Sequence, residues 1–202
     1  MDDPAPPAPL ATSFAALGLC DEIVDALSAK GITAPFPVQA LTIPDALAGK
    51  DVCGKAKTGS GKTLAFGLPV LQRMDKAEPH RPTGLVLVPT RELANQVCDE
   101  LAPAAEAVDR TALAIYGGAP IEKQIAKLQR GVDLVVATPG RMIDLIERKE
   151  VNVAEVAHVV VDEADRMADM GFLPQVEWIL RNVETEHQTL LFSATLDGVV
   201  NT

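Results

Sequence analysis

The sequence predicts an α/β domain built on a doubly wound, mostly parallel sheet with helices on both faces. Three observations carry this expectation. Short apolar runs recur along the chain, and helix-period patterns fill the intervals between them. The run Val156-Ala157-His158-Val159-Val160-Val161 is β-branched and nearly continuous, as a strand buried on both faces should be. The 202 residues are 48% hydrophobic, enough to bury one sizeable core.

Taken in order, residues 1–13 read as a mobile tail, acidic and rich in proline and alanine. Its start, Met1-Asp2-Asp3-Pro4-Ala5-Pro6-Pro7, lacks the basic residues and apolar stretch of a signal peptide. Residues 14–202 form the domain. A helix over 21–30 stops at Gly31, and a second over 37–48 stops at Gly49. Strands are expected at 51–54, 84–88, 112–116, 133–137, 157–162 and 189–193, with helical patterns between them, for example Ile121 to Leu128 and Leu173 to Leu180. Pro69 lies inside a helical pattern and is expected to kink it. Asp197 to Thr202 reads as the first turn or two of a further helix, which suggests a designed boundary within a longer parent.

Residues Ala56-Lys57-Thr58-Gly59-Ser60-Gly61-Lys62-Thr63 follow the first strand and lead into a helix starting Thr63-Leu64-Ala65-Phe66. Gly59 and Gly61 allow backbone angles that a Cβ forbids. Backbone amides can then turn inward and cradle phosphate oxygens at a helix N-terminus. Lys62 is placed to reach the outer phosphates and the Thr63 hydroxyl to hold Mg²⁺. Ala56 stands where the phosphate-loop pattern has its first glycine. The alternative is a Gly/Ser/Lys surface turn.

Asp162-Glu163-Ala164-Asp165 follows the continuous apolar strand. Its acidic residues thus sit at a strand's C-terminal end, where open α/β sheets bind ligands. Asp162 would hold Mg²⁺, partly through water, and Glu163 would orient and polarise a hydrolytic water. Acidic residues after a strand are also common helix caps, so this motif draws its weight from the phosphate loop before it. Together the two motifs point to a nucleoside triphosphate and Mg²⁺.

Composition narrows the setting. No apolar run approaches a membrane span. Cys20, Cys53 and Cys98 are widely spaced, form no metal pattern, and read as reduced, mostly buried thiols of a cytoplasmic protein. A net charge of −10 argues against a broad basic face and for a few local nucleic-acid contacts.

With these motifs in this order, the chain resembles the N-terminal, RecA-like domain of a DEAD-box RNA helicase from Phe14 to Thr195. Phe14, Gly31 and Pro35-Phe36-Pro37-Val38-Gln39 resemble the family's Q motif, and Ala56 to Thr63 its motif I. Pro89-Thr90-Arg91-Glu92-Leu93, Gly117-Gly118 and Thr138-Pro139-Gly140-Arg141 match the next three. Asp162 to Asp165 spells the family's name, and Ser193-Ala194-Thr195 matches motif III. The order of strands implied by the resemblance places the Leu190–Phe192 strand between the Val52 and Val159 strands.

The Gln39 amide, both donor and acceptor, suits the N6/N7 edge of adenine and refuses guanine. Phe14 is expected either to stack on the base or to staple the following helix. Phe36 stands where the family usually has a small hydroxyl residue, and Lys57 where glutamine is common. With motif I, the nucleotide contacts are expected at Phe14, Gln39 and Thr58 through Leu64.

Pro89, Gly117 and Thr138 each lie just past a strand candidate, so these motifs converge on one sheet edge. Arg91 and Arg141 can pair with phosphates. Thr90, Thr138 and the amides around Gly118 and Gly140 can bond phosphate or sugar oxygens, including the 2′-OH of RNA. None suits a base edge, so RNA binding is expected to be sequence-independent. Thr138-Pro139-Gly140-Arg141 also reads as a turn opening a helix, and both readings can hold. Aromatics are 3% of residues, which argues against base-stacking platforms.

The resemblance implies that Ser193 and Thr195 bond Asp165 and couple the nucleotide side to the RNA side; a Ser/Thr turn before a helix is the plainer reading. It also implies a second RecA-like domain carrying arginine fingers, without which the chain is a monomeric half-site with little activity. Two other classes compete. A small-molecule kinase would need an acceptor pocket and lid, and a DNA translocase would lack the Gln39 motif. For a non-catalytic ATP-gated clamp, intact Lys62, Asp162 and Glu163 argue against a dead site, while clamping as the biological role stays open.

Overall fold

A computed structural model describes residues 12–195. The expected tail therefore falls almost wholly outside the described residues, as does the helix start at Asp197. A short 3-10 turn, Ala15–Leu17, precedes two helices, α1 (Asp21–Ala29) and α2 (Pro37–Leu47). Strand β1 (Val52–Lys55) follows, then α3 (Lys62–Arg73), β2 (Gly84–Leu87), α4 (Arg91–Ala107), β3 (Ala112–Ile115) and α5 (Ile121–Leu128). The described part closes with β4 (Leu134–Ala137), α6 (Pro139–Glu147), β5 (His158–Val161), α7 (Ala164–Asp169), α8 (Leu173–Leu180) and β6 (Gln188–Ser193). The six expected strands all form, within a residue or so of their expected ends. Helix α3 runs on through Pro69 to Arg73.

All pairings are parallel, in the order β1-β6-β5-β2-β4-β3. β6 thus lies between β1 and β5, as expected, with Val52 opposite Leu190 and Val161 opposite Leu191. The central strands β2, β4 and β5 are buried throughout. Their side chains alternate between two cores, because strand residues point to opposite faces. Val86, Leu134, Val136 and Val160 join Phe66, Leu68 and Leu101 from α3 and α4. Leu85, Val135, Val159 and Val161 join Met142, Leu145, Met167 and Ile179 from α6, α7 and α8.

This order sorts the C-terminal sheet edge into two halves. β1, β6 and β5 are neighbours and release the phosphate loop, Ser193 and Asp162. β2, β4 and β3 are neighbours and release Thr90, Thr138 and Gly117. The cysteines depart from expectation. Cys53 is exposed on edge strand β1, and Cys20 and Cys98 are half-buried. Burial still pushes the Cys98 thiol up to about 12. Among the described residues no helix is long and apolar enough to cross a membrane.

Candidate functional site

The phosphate loop leaves β1 with Ala56 extending the ladder, its N–H donating to the Ser193 carbonyl at 2.9 Å. Ala56 is buried and free of positive φ, so a methyl group is accommodated where the pattern has glycine. The loop then needs its two glycines: Gly59 at φ 81° and Gly61 at φ 83°, the latter capping α3. A Cβ on Gly61 would also collide with the Gln39 amide and the Phe36 ring, each at 2.6 Å.

Lys62 opens α3 and is almost wholly buried. Its Nζ lies 2.7 Å from Asp162 Oδ1 and 3.5 Å from Glu163 Oε1. The Thr58 hydroxyl donates to Glu163 Oε1 at 3.1 Å, and Arg166 Nη1 holds Glu163 Oε2 at 3.2 Å. Burial raises the Asp162 pKa, and the Lys62 ammonium opposes that rise. Glu163 occupies the left-handed region, φ 53° and ψ 49°, a costly conformation for a residue with a Cβ. That sharp turn lets the chain leave β5 and start α7 at once. Glu163, at the N-cap of α7, makes no side-chain cap bond, and Asp162 Oδ1 accepts from the Glu163 N–H at 2.8 Å while facing Lys62.

Two oxygens here are buried without a protein partner, Ser60 Oγ and Asp162 Oδ2. The described residues contain no cluster of three or more His, Cys, Asp or Glu side chains fit to cage a metal. One carboxylate with a spare oxygen, one threonine hydroxyl at Thr63 and room for phosphate oxygens suit Mg²⁺, which keeps its waters and binds few protein ligands.

The other half of the sheet edge opens as a groove of about 580 Å³. Pro89, Thr90, Arg91, Gly117, Thr138, Pro139, Gly140 and Arg141 all line it. Gly118 lies outside the lining, in the same turn, at φ 82°. Thr90 caps α4, accepting from the Leu93 N–H at 3.3 Å. Thr138 sits at the N-cap of α6 with its hydroxyl making no cap bond, and Pro139 fills the first turn. Arg91 is exposed but pairs with Glu92 at 2.7 Å. Arg141 is largely buried, donates to the Ala119 carbonyl at 3.1 Å and lies 3.8 Å from Asp144. Phe172 and Gln175, at the start of α8, complete the groove.

Comparison with known proteins decides the family. The profile of the DEAD/DEAH box helicase family matches residues 36–202. The chain belongs to the DEAD/DEAH box helicase family. It is 45% identical over 196 residues to the pre-mRNA-processing ATP-dependent RNA helicase PRP5 of Mycosarcoma maydis, covering 94% of this chain and 17% of that protein. It is 47% identical over 192 residues to the ATP-dependent RNA helicase-like protein DB10 of Nicotiana sylvestris, covering 94% and 32%. The DEAD-box ATP-dependent RNA helicase CshA of Bacillus cereus is 47% identical over 187 residues, covering 92% and 35%. The chain therefore spans about a third or less of these relatives' length. The crystal structure of a DEAD box protein from the hyperthermophile Methanococcus jannaschii superposes with a TM-score of 0.84 at 37% identity, covering 92% of this chain and 51% of that one. The fold is the RecA-like α/β fold of that family.

Within this DEAD-box domain, the Q-motif residues hold positions that sequence reading did not foresee. Gln39 is 1% exposed and bridges two elements: its Oε1 accepts from the Phe36 N–H at 2.8 Å and its Nε2 donates to the Gly61 carbonyl at 2.9 Å. One amide proton and one lone pair remain for another partner. The first bond is half of a capping box on α2; Phe36 carries no oxygen to supply the other half. Of the two readings of Phe14, stacking on a base and packing against the following helix, its position favours packing: it is 2% exposed and lies in the core cluster that includes residues of α1, α2 and α3.

Thr195 bonds Asp165 twice, through its N–H at 3.0 Å and its hydroxyl at 3.2 Å. The Ser193 hydroxyl donates to the Thr195 carbonyl instead, bracing that turn from beside Asp165. Burial favours a raised Asp165 pKa, yet the N–H groups of Arg166 and Thr195 and the nearby hydroxyls outweigh it and hold the carboxyl below its usual value. Arg166 was legible as an i,i+3 partner of Glu163 on one helix. Phe172 and Gln175 carried no local signal, since only tertiary packing brings α8 to the groove.

Proposed function

We propose that this chain is the ATP-binding half of an ATP-dependent RNA helicase, coupling ATP binding and hydrolysis to sequence-independent RNA backbone binding and local duplex separation. The observation that carries the proposal is the buried cluster of Lys62, Asp162 and Glu163 beneath the glycine loop, next to a groove on the same sheet edge lined by Thr90, Arg91, Thr138 and Arg141. The names of the relatives, ATP-dependent RNA helicases, support the same reading.

The loop amides and Lys62 would take the β- and γ-phosphates, with Lys62 exchanging the Asp162 carboxylate for phosphate oxygens. Asp162 and the Thr63 hydroxyl would hold Mg²⁺, which when bound neutralises phosphate charge. Glu163, steadied by Thr58 and Arg166, would accept a hydrogen bond from the attacking water. Thr195 would carry a change at Asp165 into β6. In the groove, Thr138 and the glycine turns would bond the RNA backbone. Arg91 and Arg141 must first loosen their pairs with Glu92 and Asp144 to grip phosphates, which agrees with weak, local contacts on a protein of net charge −10.

The full protein would add a second RecA-like domain whose arginine fingers complete the transition-state charge, each worth about 10³–10⁵ in rate. A cytoplasmic, monomeric chain is part of this reading. The test pairs two variants with two lengths of protein. Lys62→Ala should abolish tight ADP binding by this chain. In the full-length protein Glu163→Gln should bind ATP and stop turnover, and RNA-stimulated ATPase should appear only there. Normal hydrolysis by the Glu163→Gln protein, or robust duplex unwinding by residues 1–202 alone, would overturn the mechanism.

A further inference from the structure

Phe36 is the position where this chain departs from its family's Q motif, and the structure gives that departure a use. We propose that the Phe36 ring forms the aromatic wall of the nucleotide site in this chain, packing against the adenosine of a bound nucleotide. The inference rests on the adenine-nucleotide reading above and assigns to Phe36 the stacking that sequence reading gave to Phe14.

Four observations converge on it. Phe36 is 57% exposed, and the other exposed large hydrophobics among the described residues, Leu41 and Met170, are not aromatic. An exposed ring gains by covering its face with a base or sugar. Its backbone is held in place: the N–H donates to Gln39 Oε1, and the carbonyl accepts from the Gln39 and Ala40 N–H groups at 2.9 and 3.0 Å. The ring lies against Gly61, at the N-terminus of α3 where phosphate would bind.

The fourth observation is its place among three cavities: one it shares with Pro37, Val38 and Leu41, and two others that meet at Gly61. Of the latter two, one of about 190 Å³ is walled by Thr58, Gly61, Lys62 and Thr63 and suits phosphates. The other, of about 410 Å³, is walled by Ile32, Thr33, Gln39 and Leu64 and suits a base. Phe36, Gly61 and Glu100 are the residues common to both linings. A nucleotide laid from one cavity to the other passes the residues they share, and of these Phe36 alone offers a ring.

A purely structural role makes the opposite forecast. At the N-cap of α2 a phenylalanine supplies no acceptor, so Phe36→Thr should complete the capping box and stabilise the helix. The experiment measures thermal midpoint and ADP affinity by calorimetry for the unmutated 202-residue chain, Phe36→Thr, Phe36→Leu and Lys62→Ala. The expected result is a Phe36→Thr chain that melts no lower than the parent yet binds ADP about ten-fold more weakly, with Phe36→Leu also weakened. In Phe36→Trp, the new indole's emission should change on adding ADP, while Trp178 on α8 in the unmutated chain stays unchanged. Unaltered ADP affinity in Phe36→Thr or Phe36→Leu, with Lys62→Ala inactive in binding, overturns this inference alone. A folded unmutated chain that fails to bind ADP overturns the adenine-nucleotide reading as well.

Discussion

Gln39 has one side-chain amide and, on the proposed function, three demands on it: the start of α2, the Gly61 carbonyl, and an adenine edge. The first two are met inside the protein. The third falls to the remaining proton and lone pair. Gln39→Ala should therefore act twice. It should weaken ADP selectively over GDP, by roughly 1–3 kcal/mol, the range for a bidentate base contact. It should also lower stability by about 1–3 kcal/mol, because the Phe36 N–H loses its acceptor and the Gly61 carbonyl keeps only the Ala65 N–H as donor. Titration of both nucleotides alongside urea unfolding separates the effects. Equal losses for ADP and GDP would leave Gln39 with its bracing role alone. Glu163 shows the same economy: its left-handed backbone is strained, and Lys62, Thr58 and Arg166 hold it there because the carboxylate must face the loop.

At the scale of elements, α3 is the piece both sides depend on. It begins at the phosphate loop, and ten of its twelve residues are buried. Gly67 lies mid-helix, where alanine would ordinarily gain about 1 kcal/mol in helix propensity. A Cβ there would run into the branched end of Leu101, which is itself fully buried on α4. Overpacking of this kind costs about 1–3 kcal/mol, so the clash outweighs the propensity gain. Gly67→Ala should lower the denaturation midpoint, and the double variant with Leu101→Ala should lose less than the sum of the two single losses, because the added methyl enters the space the leucine vacates. A stabilised Gly67→Ala chain would mean that α3 and α4 separate freely.

At the scale of the molecule, the two ends of the parallel sheet do different work. The C-terminal edge carries the charged sites. The opposite end is tied by a buried network in which Gln188 Oε1 accepts from Arg73 at 2.8 Å and from the His158 ring at 3.2 Å, while its Nε2 donates to the carbonyls of Ala46 and Lys50. Burial lowers the His158 pKa, and the Arg73 charge adds to the fall against the Gln188 bond. The unfolded chain, with histidine near 6.5, then takes up the proton more readily than the native one. This contribution to stability is present above about pH 6.5 and is lost as pH falls below it. Urea midpoints should drop between about pH 7.5 and 5.5, and less so for His158→Phe, which leaves Gln188 its Arg73 donor. An equal drop in both proteins would exclude His158 as the group responsible.

The sequence by itself determined the order of strands and helices, because buried parallel strands need near-continuous apolar runs and crossover helices need their own period. It also determined the phosphate loop and the Asp162-Glu163 pair, since glycine freedom, a lysine and carboxylates at strand ends are local requirements. What lay beyond it were facts set by distant packing. Phe14 looked like a base-stacking candidate, yet it lies buried in the core. Phe36 looked like a lost hydroxyl, yet α2 and α3 leave its ring bare among three cavities. Arg141 read as a free cation, and the turn after β3 captures it through Ala119. Side-chain chemistry is written residue by residue, but whether a ring or a charge stays available depends on which helices the sheet order brings over it.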